Sequence, residues 1–189
     1  VGTAGDVNGD GYADVIVGSP FWLDQGAAWV YLGQEGGLAG APAWHKTSGQ
    51  TGCQFGHSVG TAGDVNGDGL DDVIVGAPYW SNVHEYEGGA FVYLATGADP
   101  PVSSSPQWAK RSNQEDAHFG QSVGTAGDVN GDGRTDLVVG TAAGQSVQVF
   151  VNDAQNDSCQ CQRDFVSSPI SVPGTNSGAN DGVALADFD

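Results

Sequence analysis

The chain has 189 residues, 23 of them acidic against five Lys and Arg, with a formal net charge of −18, 31 glycines and three cysteines. That balance excludes phosphate recognition, which needs clustered basic residues, and disfavours anionic membrane surfaces. No apolar run reaches the about 18 residues of a membrane span, and three thiols are too few for a disulfide scaffold.

The chain opens on VGTAGDVNGDG, Val1 to Gly11, and the same residues return without a mismatch at Val59 to Gly69 and Val123 to Gly133. Self-similarity at a long fixed period marks an array of like units. Each block is followed by a short β-branched run: Asp14 to Gly18, Asp72 to Gly76 and Asp136 to Gly140. Such runs, closed by Gly, predict strands covered on both faces. A second apolar run comes next at Ala28 to Leu32, Ala90 to Leu94 and Val147 to Val151. A third is polar and marked by one aromatic: Trp44 to Lys46, Trp108 to Lys110, and Phe165 with Val166. Phe55 to Val59 and Phe119 to Val123 then lead into the next acidic loop. With no helical period, each unit predicts four short strands, apolar inside and polar at the last. That gradient fits a radial stack of four-stranded antiparallel sheets, an all-β propeller. A degenerate fourth copy at Val183 to Asp189 predicts one extra strand, as of a larger propeller or assembly.

The repeated loops have the form Asp-x-Asn-x-Asp-Gly-x-x-Asp. Calcium takes six to eight hard oxygen ligands, and a Gly at the sixth position permits the sharp turn around it. The predicted sets are Asp6, Asn8, Asp10, the Tyr12 carbonyl and Asp14; Asp64, Asn66, Asp68, the Leu70 carbonyl and Asp72; Asp128, Asn130, Asp132, the Arg134 carbonyl and Asp136. Variation at the seventh position agrees with use of its backbone alone. About three calcium ions are expected, one per complete loop. An EF-hand would need a carboxylate at the twelfth position, but Val17, Val75 and Val139 stand there inside strand-forming runs. An acidic turn that binds nothing would leave three like charges crowded together. Magnesium prefers octahedral geometry and retains water. Extracellular calcium modules bind at about 10⁻⁴ to 10⁻³ M, which suits a structural staple outside the cell.

Phe55-Gly56 and Phe119-Gly120, the acidic loops, and Gly76-Ala77-Pro78 together resemble the FG-GAP repeat, which builds the propeller head of integrin α chains and of many bacterial surface proteins. The resemblance implies a surface or secreted protein of bacterial type. It departs at Ser19, at Gly140-Thr141-Ala142, and before Val183, where no Phe-Gly stands. The expected units are 1–54, 55–118 and 119–178, with 179–189 the first strand of a further blade.

Catalysis would need a convergent nucleophile, base and orienter. His57 beside Ser58 is a neighbour in sequence only, and no hydrolase, metalloprotease or phosphate-loop motif occurs; the chain is expected not to be an enzyme. In a four-stranded meander the acidic loops share one rim. The loops joining strands two and three carry Phe21-Trp22 and Tyr79-Trp80 on the other. Aromatic loop residues mark interface anchors, or they cap the blade core. The resemblance also implies that ligand contacts gather away from the calcium loops. The geometry puts Cys53 on the aromatic rim and Cys159 and Cys161 on the acidic one, too far apart for a disulfide within one module.

The expected function is therefore a calcium-binding extracellular propeller segment for adhesion or protein recognition. A self-assembling surface filament or layer, a lectin-like propeller that takes a glycan, and an accessory domain of a secreted enzyme are the alternatives. No nucleic acid partner and no membrane span are expected.

Overall fold

The computed structural model describes residues 1–142, 147–152 and 165–170. Among them stand three four-stranded antiparallel sheets. The first joins β1 (Gly2–Gly5), β2 (Asp14–Ser19), β3 (Ala27–Tyr31) and β6 (Trp44–Thr47), with the small hairpin β4 (Gly33–Gln34) and β5 (Gly37–Leu38) between the last two. The second joins β7 (Ser58–Gly63), β8 (Asp72–Ala77), β9 (Gly89–Tyr93) and β10 (Trp108–Arg111). The third joins β11 (Ser122–Gly127), β12 (Asp136–Gly140), β13 (Val147–Asn152) and β14 (Phe165–Ile170). In each, strands succeed one another in chain order. The expected strand at 183–189 and the unit edges beyond 170 lie outside the described residues. So do Cys159 and Cys161. Among the described residues no helix is long and apolar enough to cross a membrane.

The three sheets meet at their first strands: β1 packs on β7, and β7 on β11. Blades therefore fan out from a shared inner edge. The middle blade explains why its apolar runs do not alternate. Val73, Val75 and Ala77 of β8, with Phe91 and Tyr93 of β9, face the core shared with the first blade. Ile74, Ala90 and Val92 face the core shared with the third. Successive strand residues point to opposite faces, so a sheet covered on both sides must be apolar throughout. Every residue of β8 and β9 is buried. The outermost strands are the polar ones: β6 turns His45 to solvent, Lys46, Lys110 and Arg111 are half-buried, and each strand turns one aromatic inward.

The Phe-Gly pairs are not strand residues. β7 and β11 begin two residues after the pair, and Phe55-Gly56 forms a turn in which His57 N–H donates to Gln54 O at 3.0 Å. The strand instead runs on through Thr61-Ala62-Gly63, which the sequence alone left to the loop. Phe55 and Phe119 are plugs. Each is buried between two blades, 5.8 Å from Phe91 and 5.9 Å from Phe150 between ring centroids. Their backbones bridge to Gly26 and Gly88 of the preceding blade. Gly26 holds φ +83°, and a Cβ there would collide with Phe55 O. Glycine is thus required on both counts, since only it adopts that conformation without strain and lets the two backbones meet.

Candidate metal centre

Each acidic loop is the hairpin between the first two strands of its blade, and it is entered through a bulge. Pairing slips between Thr3 and Gly5, Thr61 and Gly63, and Thr125 and Gly127. The Thr hydroxyl accepts the N–H of the bulged Gly at 3.1, 2.9 and 3.1 Å. A bulge bends the strand and re-aims the residues beyond it, so the repeated Thr-Ala-Gly is the device that turns the chain into the loop.

The loops then wrap around their own side chains. In the first, Asp6 Oδ1 accepts the N–H groups of Gly9 and Asp10 at 2.8 and 3.1 Å, and Oδ2 accepts that of Gly11 at 2.8 Å. Asn8 Nδ2 donates to Asp10 Oδ2 at 2.8 Å, and Asp10 Oδ1 accepts Tyr12 N–H at 2.9 Å. The pattern repeats at Asp64, Asn66, Asp68 and Leu70, and at Asp128, Asn130, Asp132 and Arg134. Backbone N–H donations, that of Gly133 foremost, hold the Asp128 carboxyl below its ordinary value.

The last Asp of each loop stands apart. Asp14, Asp72 and Asp136 open the second strands and are buried. Asp14 accepts Val7 N–H and Gly33 N–H, both at 2.8 Å. Asp72 accepts Val65 N–H at 3.0 Å and Ala95 N–H at 2.8 Å, and Asp136 those of Val129 and Asn152 at 2.8 and 2.7 Å. One carboxylate thus ties the loop to the end of the third strand. This staple went unseen in the sequence, because its donors are backbone N–H groups some 20 residues on, with no side-chain signature.

Burial pushes the Asp14 carboxyl up, against the two N–H donations and with the charges of Asp10 and Asp6 adding to the rise. For Asp72 the same causes, with Asp68 and Asp64 as the neighbours, raise it to about 7. The carboxylates of one loop are therefore close enough to repel one another. Among the described residues, however, no three acidic, His or Cys side chains converge as a closed cage for an ion, since their oxygens turn to loop N–H groups. The donor chemistry still fits a hard divalent cation: three carboxylates and one amide oxygen on a nine-residue turn, with the innermost charge buried. In each loop the expected ligand residues lie on one hairpin, their side chains held by the loop's own N–H groups.

On the other rim the two aromatic pairs part company. Phe21 and Trp22 are exposed, beside an exposed Leu23, and Trp22 meets Trp29 edge-on at 5.3 Å. Trp80 is half-buried, 5.0 Å from Phe91 and under the Arg111 guanidinium at 5.7 Å. Tyr79 packs at a tilt on His118 at 4.7 Å and edge-on to Tyr86 at 5.5 Å. Buried Cys53 donates its thiol to Gln25 O at 3.1 Å. Ser58 Oγ donates to Gly120 O at 2.8 Å, while His57 Nε2 faces Gln121 Nε2 at 3.1 Å, so the adjacent Ser and His do not form a nucleophile and base pair.

Comparison with known proteins agrees with this geometry. The chain is 30% identical over 156 residues to integrin alpha-PS5 of Drosophila melanogaster, covering 78% of the chain and 15% of that protein. It is 32% identical over 148 residues to human integrin alpha-7, covering 75% and 12%. It is 35% identical over 156 residues to integrin alpha pat-2 of Caenorhabditis briggsae, covering 71% and 12%. The chain thus spans a small fraction of the length of these relatives. The FG-GAP repeat model matches residues 1–31, 55–94 and 119–153, each match taking in one bulge, one acidic hairpin and the first three strands of one blade, so the chain belongs to the FG-GAP repeat family.

Proposed function

We propose that this chain is a non-catalytic, calcium-stapled part of an extracellular β-propeller that serves adhesion or protein recognition at or outside the cell surface. The observation that carries the calcium reading is the triple recurrence of one acidic hairpin that ends in a buried Asp, with the loop charges raising that carboxyl in the first two. In each loop the first, third, fifth and ninth side chains and the seventh carbonyl would hold the ion. Those are Asp6, Asn8, Asp10, Tyr12 and Asp14 in the first blade, with their counterparts at 64–72 and 128–136. Bound calcium would neutralise the loop carboxylates and fix the hairpin. The recognition reading is supported by the exposed Phe21, Trp22 and Leu23 on the rim away from the loops and by the names of the relatives, all integrin α chains.

Calorimetry with calcium tests the first half. The expected result is heat with a stoichiometry near three, and a thermal midpoint that rises with calcium by mass action, by about 2.7 kcal/mol of stability at a hundredfold excess over Kd. A midpoint indifferent to chelator, with no heat of binding, overturns the calcium reading. Sedimentation in calcium tests the second half. A single species supports recognition of other molecules, and a ladder of sizes replaces it with self-assembly.

A further inference from the structure

The loops are identical over their first six positions, so their ligand sets alone would make three nearly equal sites. The residues behind them differ. At the eighth position the second loop has Asp71, where the first has Ala13 and the third Thr135. Asp71 reaches back across the blade junction to the first ligand of the preceding loop. Its Oδ2 accepts Asp6 N–H at 2.9 Å, and its own N–H donates to Asp6 O at 3.1 Å. These two bonds, opposite in direction, clamp Asp6 of the first loop to the second blade. Gly5, beside it, holds φ +77°, and a Cβ there would collide with the Asp71 carboxylate. Leu70 closes the same contact, its Cδ2 3.0 Å from where a Cβ on Gly9 would stand.

The next junction is built otherwise. Thr135 takes the place of Asp71, its Cγ2 and Oγ1 2.7 and 2.8 Å from a Cβ built on Gly63. The tie there is neutral, from Asn152 Nδ2 to Val65 O at 2.7 Å. One junction therefore brings a full negative charge to the base of the loop in front of it, and the other brings a hydroxyl and an amide.

We infer that the first loop is a composite cation site, in which Asp71 of the second blade is a positioning residue that holds Asp6 and adds a fourth negative charge beside Asp6, Asp10 and Asp14. The inference rests on the calcium reading above. It makes the first loop bind a divalent cation more tightly than the second, although their acidic blocks are the same. Because coupling is reciprocal, an ion in the first loop also tightens the first blade junction more than an ion in the second loop tightens the next.

Tyr12 supplies a local probe. It is the aromatic residue at the seventh position of the first loop, where the others have Leu70 and Arg134, so terbium bound there emits when tyrosine is excited. Loss of the emission in Tyr12→Phe assigns the signal. The experiment is displacement of terbium by calcium in the 189-residue chain at low ionic strength, with calorimetry for total stoichiometry. Asp71→Asn keeps an oxygen for Asp6 N–H but removes the charge. It is expected to raise the calcium concentration needed at the first loop about five- to tenfold, with the stoichiometry unchanged. In the reciprocal arm, Thr135→Asp on a Tyr12→Phe, Leu70→Tyr background raises the affinity of the second loop by a similar factor. Should Asp71→Asn fail to fold, this arm decides alone. Equal displacement before and after both changes, in a chain that does bind calcium, overturns the inference and leaves the calcium reading standing. No heat and no displaceable emission in the unaltered chain overturns both.

Discussion

A single carboxylate does two jobs at the head of each second strand. Asp72 accepts two buried N–H groups, yet burial and its loop neighbours push its carboxyl up to about 7. Truncation and neutralisation therefore act differently. Asp72→Ala removes the acceptor of both hydrogen bonds and is expected to cost about 2 to 5 kcal/mol, read as a fall in the denaturation midpoint. Asp72→Asn keeps one acceptor oxygen and loses the pH dependence. With its folded value raised above the ordinary 3.8, this carboxyl favours the fold while protonated. Its contribution is full below about pH 4 and lost as pH rises through about 7. In chelator, the thermal midpoint of the unaltered chain should therefore fall over that window relative to Asp72→Asn, and calcium should remove the difference. Parallel pH profiles in chelator would contradict the burial argument.

The strands read easily as strands, because an apolar β-branched run of four or five residues closed by Gly has few other fates. Their edges did not, and the reason is visible in Thr61. Its hydroxyl mimics a backbone acceptor inside a bulge, so a segment that looks like loop is the end of the inner strand. The inner strands also set the spacing of the blades. A Cβ on Gly2 would stand 2.8 Å from Val59 O, one on Gly60 would be 4.0 Å from Val123 O, and one on Gly124 would meet nothing within 4 Å among the described residues. The same repeat position thus has three different tolerances. Gly2→Ala is expected to destabilise by about 1 to 3 kcal/mol, since backbone cannot give way as a side chain can. Gly60→Ala and Gly124→Ala should fall within about 0.5 kcal/mol of the unaltered chain. Urea midpoints for the three variants check this order, and equal effects would mean that the inner strands do not approach as described.

At the scale of the molecule, two rims with different chemistry arise from one meander repeated. One rim holds the acidic hairpins, and the other the loops between second and third strands. The aromatic residues of that second rim separate into support and surface. Trp80 packs against Phe91 and under Arg111, so Trp80→Ala is expected to lower stability by about 3 to 5 kcal/mol as a partly filled cavity opens. Trp22, exposed with Phe21 and Leu23, should leave the midpoint nearly unchanged when replaced by Ala. It should weaken any partner that docks on this rim, read as lost binding on a glycan or protein array. A large stability loss in Trp22→Ala would move that residue from surface to core.

Residue order alone dictates the repeat, the strand count of each unit, the polarity gradient from inner to outer strand and the ligand-type residues of the loops. All of these are local: they depend on residue type and on spacing within a dozen positions, which the alternation of side chains and the reach of a turn translate directly into structure. Packing in three dimensions was needed to show that Phe55 and Phe119 are plugs between blades, that Asp14 and its counterparts tie two strands, and that Asp71 reaches into the loop of another blade. Those depend on which backbone atoms arrive beside a side chain from 16 to 65 residues away, and a peptide N–H carries no mark in the sequence of who will accept it.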